Sequence, residues 1–328
     1  MGYAAHMKRM YATGRSALQL YRCGEFPRPH EAYAPADHPS RSAVQSIGEL
    51  RALINAGLLP TLEPPYELLV FGARARRPSR SLICRPIASA PEEPFLVEIT
   101  EGCSCVIPEL FFVQQCRAHE VPALAALGME LCGSYARGVA GPRPAFTRYH
   151  LPPLMTTSSL ASFIGRNPRI RGSAEAKRIL GYLADGSASP METALFLLIT
   201  LPPDLGGYGL PKPELNAEIV IPGSASDSGK RQERFGDLVY RQERIVVEYQ
   251  SERFHAQLGT TEDDEARREE LEALGYTVMF ITPARIRDRE RFDRFIRRLA
   301  DRLGVNRPPD SPEIRLLRDR LTDELISS

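Results

Sequence analysis

The chain has 328 residues, of which 43% are hydrophobic, and its 42 basic and 41 acidic side chains leave a formal net charge of +1. This balance excludes a bulk attraction to nucleic acid, so any such binding must come from local patches. No stretch reaches the ~20 apolar residues that a membrane span needs, and residues 1–26 lack the apolar core of a secretion signal. We therefore expect a cytoplasmic protein with two domains.

The cysteines point to the same compartment. All six lie in the first half of the chain at irregular spacing: Cys23, Cys84, Cys103, Cys105, Cys116 and Cys132. The Cys103-Ser-Cys105 pair is too tight for a zinc knuckle, and no second pair with metal-ligand spacing follows. Reduced and buried thiols are therefore expected.

The first half has the pattern of an α+β accessory module over residues 1–150. A helix is predicted from Ile47 to Gly57, with Leu50 and Leu53 on its apolar face. Strands are predicted at 66–72 and 94–100, and one or two helices at 108–133. Such a module fits a winged-helix DNA binder or a scaffold, and the pattern does not separate them.

The second half alternates helices and strands, which is typical of an α/β domain. Residues 151–187 are predicted to be a connector with a short helix, 188–305 the α/β domain, and 306–328 a helical tail. Ser189, followed by Pro190 and Glu192, is a good start for a helix over 191–200. The Gly-rich stretch at 205–216 is predicted to be a flexible connector. Two strands within 236–255, a helix ending at Gly275, a third strand and an amphipathic helix follow.

The stretch GDLVYRQERIVVEYQSERFH, residues 236–255, reads as a hairpin that carries acids inside its strands. A two- or four-residue turn at Gln242-Glu243 places Leu238 opposite Val247 and Asp237 opposite Glu248. This register is favoured because it makes one face of the hairpin entirely apolar. A three-residue turn would exclude it.

In this register two carboxylates lie roughly 4.5–5.5 Å apart at their Cβ atoms, and like charges so placed repel each other. A divalent cation offsets that repulsion, and magnesium prefers hard oxygen ligands. The alternative is that both acids lie at solvated strand ends and pair with Arg241, Arg244 or Arg253.

The same segment resembles a known family. The phrases SPMETALFLL, FGDLVY, VVEYQS and DDEARREELEALGYTV are similar to the DUF559-type endonuclease domain, a relative of the very-short-patch-repair endonucleases in the PD-(D/E)XK, or restriction-endonuclease-like, superfamily. The resemblance covers about residues 188–300. It implies a central mixed sheet flanked by helices and a metal-dependent endonuclease.

The resemblance also implies roles for individual residues. Asp237 and Glu248 would bind Mg²⁺ or Mn²⁺, with the Tyr249 carbonyl as a third ligand. Catalytic roles are implied for Glu192, near the ion, and for His255, near the scissile phosphate. Arg267 would approach the site or the nucleic acid, and Arg253 is a further expected contact.

Gln250 departs from the family pattern, which usually has lysine at this position and commonly aspartate in this subfamily. Glutamine can orient a water by hydrogen bonds, but it carries no charge and takes up no proton. The expected function is hydrolysis of nucleic-acid phosphodiesters, with DNA favoured over RNA. The alternatives are a catalytically inactive nucleic-acid-binding protein of a toxin–antitoxin or phage-defence system, and a scaffold without nucleic-acid affinity.

Overall fold

The computed structural model describes residues 8–24, 26–27, 43–44, 46–71, 79–87, 90–91, 93–138, 146–221, 232–250, 268–307 and 310–327. The chain divides into two compact units, Met1–Leu183 and Ala184–Ser328. Both units combine helices with a mixed sheet, so the expected α/β class is confirmed. None of the described helices combines the length and the apolar composition that a membrane crossing requires.

Unit 1 is built on a five-stranded sheet with the strand order β3-β2-β1-β5-β4. Its strands are β1 (Met10–Ala12), β2 (Tyr66–Phe71), β3 (Leu82–Ile87), β4 (Leu96–Thr100) and β5 (Cys103–Val106). Its described helices are α1 (Gly14–Cys23), α2 (Ile47–Asn55), α3 (Pro108–Gln115), α4 (Val121–Leu131), α5 (Thr157–Arg166) and α6 (Ser173–Leu180). The predicted helix from Ile47 is confirmed, and Ser46 and Glu49 form a capping box at its start.

Residues 151–183, where a connector was expected, lie inside unit 1. Helix α5 packs against α3 and α6, and α6 also packs against α3 and α4. Three apolar side chains of α5 and α6, Leu160, Phe163 and Ile179, are almost fully buried. Burial of this kind stabilises a fold and is not expected of a solvated linker.

Unit 2 is built on a four-stranded sheet with the order β6-β7-β8-β9, in which only the β8–β9 pair is parallel. The strands are β6 (Glu214–Ile221), β7 (Gln232–Tyr240), β8 (Ile245–Tyr249) and β9 (Thr277–Ile281). The helices are α7 (Pro190–Thr200), α8 (described over 268–273), α9 (Pro283–Arg287), α10 (Arg289–Arg302) and α11 (Pro312–Ser327). Strand β6 was not predicted, and its first residues lie in the stretch read as a connector.

Helix α7 is the central helix of unit 2. Its N-cap is Ser189, whose side chain accepts a hydrogen bond from the Glu192 amide, and Pro190 occupies the first turn as predicted. The side chains from Leu195 to Ile199 are fully buried. A helix that is apolar on all sides belongs in the interior of a domain.

Both faces of the sheet are covered. Val239 and Val246 pack with Leu271 of α8 and with Ala217 and Ile219 of β6. The side chains that follow the opposite alternation along the hairpin are also buried: Leu238, Tyr240, Ile245 and Val247. The sheet therefore lies between two apolar layers, and an acid within it is removed from bulk water.

The C-terminal tail is part of unit 2, because α11 packs against α7 and the turn at Pro203–Leu205. The buried Arg318 guanidinium lies 3.8 Å from the centre of the Tyr208 ring. It donates to both carboxylate oxygens of Asp310, at 2.5 and 3.2 Å, and to the Gly207 carbonyl. Burial alone would raise the pKa of Asp310, but the hydrogen bonds and charges of Arg318 and Arg307 outweigh it and hold this pKa below its ordinary value.

We expect Asp310→Asn to destabilise unit 2 at neutral pH but not in strong acid. Because the folded pKa is depressed, ionised Asp310 stabilises the fold above its ordinary pKa of 3.8, and this contribution is lost as the pH falls through the lower folded value. The difference in unfolding free energy between wild type and variant should be on the order of 1 kcal/mol at pH 7 and approach zero near pH 2. Urea denaturation across this range measures it.

The exposed Asp323 provides the control. Asp323→Asn should change the free energy of unfolding little at any pH. If the difference in unfolding free energy between wild type and Asp310→Asn is as large at pH 2 as at pH 7, the lowered pKa of Asp310 is contradicted.

Candidate active site at the β7–β8 hairpin

The hairpin has the predicted register. Strands β7 and β8 are joined by the four-residue turn 241–244, and Leu238 lies opposite Val247 and Tyr240 opposite Ile245. The last turn residue, Arg244, adopts a left-handed φ of 53°. With a turn of this length, the two strands pair in the register that was predicted from the apolar face of the hairpin.

The regular backbone ladder between the two strands ends at the Leu238–Val247 pair. The next level of the hairpin carries Asp237 on β7 and Glu248 on β8. Glu248 is only 8% exposed, while Asp237 is half-buried. On the other side of Glu248, Phe280 of β9 is its direct strand partner. A carboxylate in such surroundings costs free energy unless other groups compensate its charge.

Asp237 replaces the missing ladder bond with its side chain. Its Oδ2 accepts a hydrogen bond of 2.7 Å from the Tyr249 amide of β8. The side chain therefore reaches across to the neighbouring strand, next to the residue that carries the second carboxylate. This contact fixes one oxygen of Asp237 relative to the main chain at Glu248 and Tyr249.

The pleat of β7 is broken at this level. A Cβ atom built on Gly236 would lie 2.6 Å from Val239 Cγ2 and 2.9 Å from Val246 Cγ1. In a regular strand, residues three positions apart point to opposite faces, yet Gly236 and Val239 point to the same one. The facing strand is irregular too, because Asn216 of β6 has a left-handed φ of 45°.

Glu192 is held at the N-terminus of α7. Its Oε2 accepts from the Ala188 amide at 2.9 Å and from the Asn216 side-chain amide at 2.5 Å, and its Oε1 accepts from the Ser189 hydroxyl at 2.9 Å. Both oxygens are thus engaged within the chain, and the residue is 7% exposed. The predicted catalytic acid links α7 to β6 in this structure.

Gln250 follows directly after β8. It is half-buried, and its amide donates to the Ile281 carbonyl of β9 at 2.9 Å, so it continues the parallel strand pairing. By the alternation of the strand, its side chain lies on the same face as that of Glu248. The three remaining predicted site residues, Arg253, His255 and Arg267, lie outside the described residues.

The expected alternative pairs the acids with Arg241, Arg244 or Arg253, of which Arg253 lies outside the described residues. The Arg241 guanidinium binds Glu214 at 2.7 Å and the Glu218 carbonyl, both on β6. Arg244 donates to the Leu274 carbonyl. Glu248 is buried, whereas this alternative places the acid at a solvated strand end.

The donor set decides which metals these residues suit. Among the described residues, no group of three or more histidine, cysteine or acidic side chains comes together as a metal site. The hairpin offers two carboxylates and a main-chain carbonyl, which are hard oxygen donors. Magnesium is commonly held by one or two carboxylates and keeps several waters, so the donor set fits Mg²⁺ or Mn²⁺ and does not fit structural zinc.

Asn216 is the site residue that sequence reasoning missed. It lies in a strand that was read as a connector, and its contacts are to residues 24 and 30 positions away in sequence. The available signal was the asparagine itself, because asparagine tolerates left-handed backbone better than most residues.

Comparisons of the chain with protein-family models, with curated proteins and with solved structures gave no match. The chemistry of this site must therefore be inferred from its own residues. Those residues place two acids at one level of adjacent strands, close to the carboxyl end of the parallel β8–β9 pair.

We expect Gly236→Ala to lower the free energy of unfolding by about 1–3 kcal/mol, because the new methyl group meets two stiff β-branched side chains. Gly165→Ala is the control, since a Cβ atom there has no neighbour within 4 Å. That variant should be neutral or slightly stabilising, because alanine suits a helix better than glycine. Urea denaturation monitored by circular dichroism compares the two variants. A Gly236→Ala variant with the wild-type free energy of unfolding would argue against the broken pleat.

Proposed function

We propose that this protein is a metal-dependent endonuclease that hydrolyses phosphodiesters of nucleic acid, with DNA favoured over RNA. The observation that carries the proposal is that Asp237 and Glu248 directly adjoin the last paired residues of the neighbouring strands, Leu238 and Val247, with Glu248 buried. Two carboxylates on adjacent strands supply the hard oxygen donors that a divalent cation such as Mg²⁺ prefers.

The architecture of unit 2 supports a restriction-endonuclease-like core. Helix α7 is followed by the antiparallel strands β6, β7 and β8, then by α8 and the parallel strand β9. This is a mixed sheet with helices on its flanks, as the resemblance implies. The acids lie on the central strands of that sheet, where packing on both faces limits their movement.

Asp237, Glu248 and the Tyr249 carbonyl are the groups that would hold Mg²⁺ or Mn²⁺. When bound, such an ion eases deprotonation of a water for attack on the phosphodiester and neutralises charge on the phosphate oxygens. The protein residues hold the two carboxylates in place, and Gln250 orients water by hydrogen bonding. Glu192 contributes by fixing the start of α7 against β6.

A cation on α8 supports contact with a polyanion. The Arg268 guanidinium lies 6.0 Å from the centre of the Phe280 ring, and Phe280 is the strand partner of Glu248. Arg268 also pairs with Glu272 one turn away and is half-exposed. We propose that it contacts the phosphate backbone near the site, together with the neighbouring Arg267.

We expect Asp237→Asn and Glu248→Gln each to reduce Mg²⁺-dependent cleavage at least about 100-fold, since each removes a charged metal ligand and keeps the side-chain shape. Asparagine can still accept the hydrogen bond from Tyr249. Cleavage of plasmid, single-stranded DNA and RNA, with Mg²⁺ and with EDTA, measures the effect.

Glu243→Gln is the matched control, because it removes the same charge from the exposed turn of the same hairpin. It should cleave like wild type. Cleavage that persists in both site variants, or in EDTA, would remove the proposed mechanism.

The presence of Gln250 favours one second function, a catalytically inactive nucleic-acid-binding protein. An uncharged amide at this position neither takes up a proton nor stabilises a developing negative charge. Such a protein would bind nucleic acid with strong salt dependence and would not cleave it with Mg²⁺ or Mn²⁺. A mobility-shift titration at several salt concentrations, run beside the cleavage assay, separates the two functions.

If the site is active, Gln250→Lys should accelerate cleavage about tenfold, because an ammonium group stabilises negative charge on the reacting phosphate. Gln242→Lys adds the same charge at the exposed turn and should leave the single-turnover rate unchanged. Equal acceleration by both variants would indicate a general gain in nucleic-acid affinity instead.

A further inference from the structure

We infer that Asn216 is a positioning residue that sets the orientation of the Asp237 carboxylate. This inference rests on the proposed function, because the orientation of Asp237 matters for catalysis only if Asp237 holds the metal. It adds a residue on β6, a strand to which the family resemblance assigned no role.

The backbone of Asn216 is the first observation. In the β6–β7 pair, Leu215 lies opposite Leu238 and Ala217 opposite Gly236, so Asn216 occupies the level of Asp237. Its φ of 45° is left-handed, a conformation that most L-residues avoid and that asparagine and glycine tolerate. The irregular position of β6 thus lies directly opposite the position where the pleat of β7 is broken.

The side chain of Asn216 is the second observation. Its Nδ2 donates to Glu192 Oε2 at 2.5 Å and to the Gly186 carbonyl at 2.9 Å. Glu192 is itself fixed by the Ala188 amide and the Ser189 hydroxyl. The strained backbone of Asn216 is therefore anchored to the N-terminus of a fully packed helix.

The consequence for Asp237 follows from strand geometry. In a regular pleat, the side chain of Asp237 would stand roughly perpendicular to the sheet and would not reach a main-chain amide of the next strand. The observed 2.7 Å contact with the Tyr249 amide requires the carboxylate to lie toward β8 instead. Loss of the anchor lets β6 and β7 relax toward the regular pleat, which moves the carboxylate away from Tyr249.

Hydrogen exchange of the Tyr249 amide tests this directly, since it requires neither metal nor activity. Asn216→Ala should lower the protection of that amide about tenfold, because alanine disfavours the left-handed backbone and lacks the amide. The ladder amides of Val246 and Val247 should keep their protection. Asn216→Gly tolerates the left-handed backbone and loses only the side-chain hydrogen bonds, so a smaller loss of protection, about threefold, is expected. If Asn216→Ala does not fold, the protection of Tyr249 in Asn216→Gly provides the test.

A charge swap provides a rescue. Asn216→Asp sets a second carboxylate against Glu192 and should lose protection at Tyr249 at least as strongly as Asn216→Ala. Adding Glu192→Gln restores a donor–acceptor pair with reversed roles and should recover part of the protection. Asn306→Ala, at an exposed asparagine of the same unit, is the control and should leave the Tyr249 amide unchanged.

Cleavage kinetics give the second readout. Asn216→Ala should lower kcat about tenfold and leave KM for the nucleic acid unchanged, because the residue acts on the carboxylate and not on substrate binding. Wild-type protection of Tyr249 in Asn216→Ala and in Asn216→Gly would overturn the positioning role. If the wild type does not cleave nucleic acid and the Asn216 variants still lose protection at the Tyr249 amide, the proposed function is refuted and the positioning role is supported.

Discussion

The geometry of unit 2 depends on where the backbone pairing of β7 and β8 stops. Three regular pairs hold the hairpin, and at the next level the Asp237 carboxylate takes the place of a main-chain acceptor for the Tyr249 amide. An acid that completes a sheet in this way is constrained by the same hydrogen bonding that holds the strands together. Its Oδ2 is therefore held close to the main chain of β8.

The constraint extends beyond the hairpin to helix α7. Glu192 was predicted to suit the first turn of that helix through the helix dipole, and it also binds Ser189, Ala188 and the Asn216 amide. A buried carboxylate with several donors is compensated without a metal ion. The helix start and the irregular strand are thus joined by hydrogen bonds, and Asn216 lies at the level of Asp237 in the β6–β7 pair.

Local patterns predicted the parts of this fold whose partners are close in sequence. The hairpin register followed from alternation and turn length, and the Ser189 cap from the residues after it. Strand β6 was missed because its first residues belong to a stretch rich in glycine and proline that was read as a connector. The roles assigned to Arg253, His255 and Arg267 remain predictions, as does the metal site itself.

Contacts between residues distant in sequence also define which part of the chain forms unit 2. The sequence suggested a domain that ends near residue 305, followed by a helical tail. Helix α11 instead packs against α7, its side chains Leu321 and Leu325 are buried, and Arg318 packs on the Tyr208 ring. A recombinant fragment that stops at residue 305 would expose this surface of α7 to water, so a stable fragment of unit 2 has to extend through the last helix.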